Sequence, residues 1–333
     1  MQSSPESLIM AAPQGGIHGT RESMKLIHLT DTHLVAPDKR LYGLDPRARL
    51  AAAVADINLH HGDAQGVIIS GDLTDRGEPA AFHALREVLE ELSMPYFLGM
   101  GNHDARETLQ TAFPELPCDD DGFVQYAHAF GPDADDCVLV MLDSAVAGEH
   151  GGLLCESRLA WLDACLAAHH DRRILLALHH PPMALGIRYM DDIRLQNPQA
   201  LHEVIQRHGN VEHLLFGHVH RPASGVWRGL SFSTLPGVNH QVGLDLVSAA
   251  DCLAGSHEPP AYGVLMIGEE QVVNHLHLYM DDSRRYFFHD TLEAAQSLEA
   301  LDELIALQRD ERIPTREREP LSNTLQAAEA AKE

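Results

Sequence analysis

Six apolar runs of strand length recur along this chain: "KLIHL" (25–29), "GVIIS" (66–70), "PYFLGM" (95–100), "CVLVML" (137–142), "RILLAL" (173–178) and "EHLLFG" (212–217). Stretches with helical spacing separate them, near 46–60, 79–92, 156–169 and 198–208. Continuous apolar strands alternating with helices predict a mostly parallel sheet covered on both faces. Two later segments, 226–237 and 261–279, read as hairpins, the second turning around Gly268, Glu269 and Glu270. They predict an antiparallel addition, a second sheet packed on the first. The fold class is α/β (α+β).

The flanks differ from this pattern. Residues 1–23 are rich in Ser, Gly and Pro without a period, and are expected to be a disordered extension. The main domain is expected over 24–290, followed by an amphipathic helix and charged tail over 291–333. The stretch 291–308 is able to mediate a homo-oligomer or cap a site, although a helix packed on its own core is the commoner outcome. No apolar run reaches membrane-spanning length, and "LIMAA" near the start is too short for a signal peptide. Five scattered cysteines form neither a C-x-x-C pair nor a disulfide framework. A cytoplasmic protein without a membrane partner is the expectation. The net charge of −25 argues against a groove for duplex nucleic acid.

The polar residues are placed non-randomly. Five of the six runs end in His, Asp or Asn: "LTDTH", "SGDLTD", "GMGNHD", "ALHHPP" and "FGHVH". Ligands of open α/β sheets bind beyond the carboxyl ends of the strands, so the five clusters should meet in one crevice. The donors that would meet are Asp31, His33, Asp72, Asn102, His179, His218 and His220. They offer imidazole nitrogens and hard oxygens but no sulfur, a mixture suited to Mn, Fe, Zn or Co. Seven donors are too many for one tetrahedral ion. With one bridging carboxylate they divide four and four around two ions. Two divalent ions against two aspartates leave about +2, or about +1 with a bridging hydroxide, which would attract a phosphate ester locally.

Each cluster has a plainer reading alone. Asp72 suits a turn, Asn102 an Asx-turn, and "GNHD" a helix start with Asp104 as N-cap. "HHPP" suits a loop stiffened by prolines, and His218 and His220 suit satisfied core histidines. Five such coincidences at one end of one sheet are far less plausible than a site.

In this order, "DTH" (31–33), "GDLTD" (71–75), "GNHD" (101–104), "HHPP" (179–182) and "GHVH" (217–220) resemble the calcineurin-like metallophosphoesterases. The resemblance covers roughly residues 24–280. Within that family, "LYG" (41–43) and "STLPGVNHQV" (233–242) are similar to bacterial class III cyclic nucleotide phosphodiesterases and glycerophosphodiesterases. The resemblance implies a four-layer αββα sandwich of two mixed sheets with a dinuclear metal site at the strand carboxyl ends. It implies that Asp31, His33 and His220 hold one metal, that Asn102, His179 and His218 hold the other, and that Asp72 bridges. His180 is then a neighbour that orients the loop, not a ligand. His103 matches the family histidine facing the phosphoryl oxygens or leaving group, and Asn102, His103 and His240 match positions near substrate. The chain departs from its nearest relatives in 1–23, in "GIRYMDDIRLQN" (186–197) and in its tail; the middle segment should overhang the crevice.

The expected reaction is hydrolysis of a small phosphodiester, a 3′,5′-cyclic nucleotide such as cAMP, a 2′,3′-cyclic nucleotide or a glycerophosphodiester, by in-line attack of a metal-bridging hydroxide. His103 would stabilise the developing charge or protonate the leaving group. A phosphomonoesterase or protein phosphatase on the same metals is the alternative. It ranks lower because only Arg188, Arg194 and Arg221 suggest themselves for a second phosphate charge. A non-catalytic scaffold of the same fold predicts eroded ligands, and none of the seven is missing.

Overall fold

In the computed structural model, residues 24–131, 137–249, 251–283 and 297–302 are described. The expected extension 1–23 and most of 291–333 lie outside them. In chain order the elements are β1 (Met24–Leu29), α1 (Pro46–His60), β2 (Val67–Ile69), α2 (Pro79–Leu89), β3 (Tyr96–Leu98), α3 (Arg106–Ala112), β4 (Tyr126–Phe130), β5 (Cys137–Leu142), α4 (Glu156–Ala168), β6 (Ile174–Leu178), α5 (Arg188–Asp192) and α6 (Pro198–His208). There follow β7 (Val211–Phe216), β8 (Ala223–Trp227), β9 (Leu230–Thr234), β10 (Gln241–Val242), β11 (Gly255–Ser256), β12 (Tyr262–Ile267) and β13 (Val272–His277). All belong to one unit ending at Met280. The four long helices start where proline or glutamate follows a polar or turn residue. At α1, for example, Asp45 accepts from the Ala48 amide at 3.0 Å with Pro46 in the first turn.

The six apolar runs do not share a sheet. One sheet has the order β13-β12-β1-β2-β3 and the other β4-β5-β6-β7-β9-β8, so each takes three of the six. Both are mixed: β1, β2 and β3 are parallel, with β12 antiparallel to β1, while β5, β6, β7 and β9 are parallel, with β4 and β8 antiparallel at the edges. The two late hairpins therefore extend different sheets, and β9 returns parallel to β7 instead of building an antiparallel sheet of its own. An apolar run has no residue that names its sheet, so the sequence pattern alone could not divide the six.

Side-chain alternation assigns the layers. On β5, Leu139 and Met141 enter a core shared with β1, β2 and β3, whereas Val138, Val140 and Leu142 enter one shared with Leu162 and Leu166 of α4 and Leu201, Val204 and Ile205 of α6. Leu50, Val54 and Ile57 of α1 and Phe82, Leu85 and Leu89 of α2 belong to the first core. The architecture is thus the expected αββα sandwich. Sheets buried on both faces need the unbroken apolar runs seen in sequence. Among the described residues no helix is long and apolar enough to cross a membrane.

The layering positions the polar clusters. β1, β2 and β3 deliver theirs from one sheet, β6 and β7 from the other, and the loops interlock by backbone hydrogen bonds such as Asp31 N to Gly71 O (3.1 Å) and Gly217 N to His179 O (3.1 Å). The crevice is a seam between two sheets rather than the end of one.

Candidate metal centre

Three of the five loops, those after β1, β2 and β7, carry an unusual backbone. Asp31 (φ 54°), His33 (φ 45°), Asp72 (φ 48°), His218 (φ 70°) and His220 (φ 46°) all lie in the left-handed region. This conformation crowds Cβ against the backbone and costs a non-glycine residue about 1 kcal/mol or more. Five of the seven expected donors share it. Each turns its side chain out of the strand direction and into the seam. Glycines let the loops approach: a Cβ on Gly101 would fall 2.1 Å from Asp72 Oδ1, and one on Gly217 would fall 2.0 Å from Thr30 Oγ1.

Six of the seven expected donors bring their polar atoms together at the seam, and the seventh, Asn102, lies in the loop after β3. Asp31, His33, Asp72 and His220 form one group whose ligand atoms lie within 4.8 Å of one another; His179 and His218 belong to a second. His33 Nε2 is 3.0 Å from His220 Nε2 and 3.5 Å from Asp72 Oδ2, which is 3.2 Å from His179 Nε2. Asp72 thus stands between the two groups. Its other oxygen accepts from the His103 amide at 2.9 Å. Asp31 accepts from the His218 amide and from Thr30 Oγ1, and lies 3.2 Å from His220 Nε2.

Neighbouring carbonyls fix which imidazole nitrogen faces inward, because a carbonyl can only accept. His179 Nδ1 donates to Ser70 O at 3.0 Å, His220 Nδ1 to His240 O at 2.8 Å, and His218 Nε2 to Ile193 O at 3.1 Å. The lone pairs left over are Nε2 of His179 and His220 and Nδ1 of His218. Ile193 belongs to the segment 186–197, which therefore sits against the site as expected. His180 groups with His179 and His218, but its Nδ1 pairs with Ser144 Oγ (2.8 Å) and its Nε2 donates to His150 O (3.1 Å). With both nitrogens committed, His180 orients the loop.

The donor set fits cations. Asn102 Oδ1 is buried without a hydrogen-bond partner, a costly state that a bound ion relieves. Burial pushes the Asp31 and Asp72 carboxyls up, yet His220 beside Asp31 and His179 beside Asp72 outweigh it and hold both well below the usual carboxylate range. Burial lowers His179, but Asp72 and Asp31 lift it to about 9. Burial takes His218 down to about 3, with His179 adding to it. Without a cation the seam stores a proton between His179 and Asp72.

His103 is held at the edge by Nδ1 donating to Asp75 O at 2.8 Å, and its ring lies 4.8 Å from that of His33. His240, half-buried, has its ring 4.5 Å from His220 and 4.9 Å from His33. Two supporting residues are not assigned to the site from sequence, where Asp104 reads as a helix cap. Asp75 approaches His33 Nδ1 at 3.7 Å. Asp104 caps no helix, since Ala105 is the N-cap of α3. Its carboxylate accepts from the amides of Leu73, Thr74 and Gly101 and so ties two ligand loops together, and burial and Asp72 push it up to about 6. Both lie inside quoted motifs, but only coordinates show what their carboxylates touch.

A family model described as calcineurin-like phosphoesterase matches residues 24–222. Among curated proteins, the chain is 47% identical over 272 residues to a probable cyclic nucleotide phosphodiesterase of Rhodopseudomonas palustris, covering 81% of this chain and 97% of that protein. It is 32% identical over 251 residues to a probable glycerophosphodiester phosphodiesterase of Arcobacter nitrofigilis, covering 74% of this chain and 90% of that one. Among solved structures, a dimetal phosphatase from Danio rerio superposes with a TM-score of 0.58 at 19% identity over 78% of this chain and 98% of that one, a likeness of fold.

Two outcomes are expected. Gly101→Ala, which drives a methyl into the Asp72 carboxylate, should reduce bound metal from about two per chain to less than one, measured by elemental analysis after gel filtration. Because a cation must displace the proton held on His179 at any pH below about 9, apparent Mn²⁺ affinity should strengthen as pH rises. Burial lowers His220, but Asp31 also holds it above its ordinary value, so between about pH 6 and 8 the gain is at least about tenfold per unit, and calorimetric titration showing a flat profile would contradict this.

Proposed function

The chain belongs to the calcineurin-like phosphoesterases, and on that premise we propose that it hydrolyses a small phosphodiester, a cyclic nucleotide or a glycerophosphodiester, at the seam between its two sheets. The observation that carries this is the convergence, on strained backbone, of an all-nitrogen-and-oxygen donor set around a shared carboxylate. In this reading Asp31, His33 and His220 hold one cation, Asn102, His179 and His218 hold a second, and Asp72 serves both. The catalytic domain is taken as residues 24–290. The absence of sulfur among the donors favours Mn, Fe, Zn or Co. Bound there, two such cations supply Lewis acidity to water and to the phosphoryl oxygens.

The chain's own groups do the rest. Asp72 receives the His103 amide, so the residue that shares the cations also fixes the next loop. His103 has Nδ1 tied to the Asp75 carbonyl, which leaves Nε2 to exchange a proton with the leaving oxygen or to hydrogen-bond the phosphoryl group. In this reading His240, whose ring stands beside that of His33, and Asn102 contact the same ester.

A diester is favoured over a monoester because two of the three arginines considered for a second phosphate charge are engaged elsewhere, while Arg188 is exposed at the start of α5. The Arg221 guanidinium binds the Glu258 carboxylate and the Val242 carbonyl, and Arg194 donates to the Asp191 carbonyl. Neither is left to neutralise a second phosphate charge. The net charge of −25 works against a duplex substrate.

The test is turnover of bis(p-nitrophenyl) phosphate against p-nitrophenyl phosphate by Mn²⁺-loaded protein. The diester should be preferred, and His103→Ala should keep its metal while losing about 100-fold or more in kcat. Preference for the monoester would favour the phosphatase alternative; unchanged kcat in His103→Ala would remove the proton-transfer role.

A further inference from the structure

A cavity of about 550 Å³ opens beside the metal centre, lined by Tyr42, His240, Val242, Leu253, Ser256 and His257 among others. It begins at the centre, since the His240 ring touches His33 and His220, and runs to the β10–β11 ribbon, where Gln241 pairs with Ser256. The volume lies in the range of about 300–1,000 Å³ usual for small-molecule sites. The lining mixes apolar walls with a few polar edges.

Tyr42 is the informative residue. Leu41 and Leu44 exchange both backbone hydrogen bonds at 3.0 Å around Tyr42 (φ 52°) and Gly43 (φ 82°). This is the two-residue hairpin that needs positive φ at both central positions and favours Asn or Gly at the first. A tyrosine there is strained and gains nothing from burial, for it is 66% exposed. Arg228 and Gly229 make the same kind of turn between β8 and β9, so the turn alone is not the signal. What distinguishes Tyr42 is its ring, 4.6 Å from that of His240 and on the cavity wall.

We propose that this cavity is the subsite for the nucleoside of a cyclic nucleotide, with its base stacked on Tyr42 while the phosphate lies at the metal centre. A glycerol-type group has no aromatic face to offer and would leave Val242, Leu253 and Ala254 against water. An aromatic base meets the ring with one face, and Ser256 and His257 offer hydrogen bonds to its edge. This narrows the phosphodiesterase reading above and rests on it.

The test uses Tyr42→Asn, which suits the turn better than tyrosine, so that loss of function cannot be charged to a damaged loop. Mn²⁺-loaded wild type, Tyr42→Asn and Tyr42→Phe are compared on 3′,5′-cAMP and glycerophosphoethanolamine, with AMP binding measured by calorimetry. In Tyr42→Asn the ratio of kcat/KM for cAMP over glycerophosphoethanolamine should fall about tenfold, through KM, and AMP should bind about tenfold more weakly. Tyr42→Phe should restore both, because stacking needs the ring and not the hydroxyl. A Tyr42→Asn ratio and AMP affinity like those of wild type overturn the proposal. If wild type turns over no diester, the phosphodiesterase reading fails by itself, and AMP affinity alone then upholds or overturns the nucleoside subsite.

Discussion

Two buried carboxylates, Asp31 and Asp72, are the constraint around which the structure is arranged. Neither has appreciable exposure, and an isolated buried charge would be prohibitive. Partners from both sheets make them tolerable: His220, Thr30 and the His218 amide around Asp31, and His33, His179 and the His103 amide around Asp72. Because those partners come from β1 and β3 on one side and β6 and β7 on the other, the carboxylates also tie the two sheets at one end. The same arrangement concentrates negative potential among imidazole lone pairs, which is what a cation site requires.

The cost of this arrangement is visible in the backbone. Five donors in left-handed conformation, and glycines whose Cβ would strike a ligand, mark a region optimised for geometry rather than for local stability. The large apolar cores on either face of both sheets offset it. A rigid two-sheet frame suits chemistry in which water, ester and leaving group must be aligned. Asp104 extends the frame by pinning the loops after β2 and β3 to each other.

Much of this was legible in the residues. The bounds of β1, β5, α1 and α6 follow the apolar periods and proline positions closely, since strand and helix repeats are local properties. The cluster of Asp31, His33, Asp72, His179, His218 and His220 was legible because these polar residues ended apolar runs, where burial gives them no ordinary place. The division of six runs between two sheets was not, because pairing is a long-range choice that Val, Ile and Leu do not encode individually. Nor were the left-handed turns: Asp, His and Asn are compatible with that region but do not demand it. Asp104 and Tyr42 show the same limit. One was legible only as a cap and the other only as part of "LYG", until their neighbours, 30 residues away in Thr74 and beside the ring of His240, were placed.

The central claim is that one buried carboxylate is shared by two cations at the seam between the sheets. Anomalous diffraction from a crystal grown with Mn²⁺ tests it most directly. The account predicts two anomalous peaks flanking the Asp72 carboxylate, one among Asp31, His33 and His220 and the other among Asn102, His179 and His218. A single peak, or peaks that leave Asp72 out of reach of either ion, would contradict it.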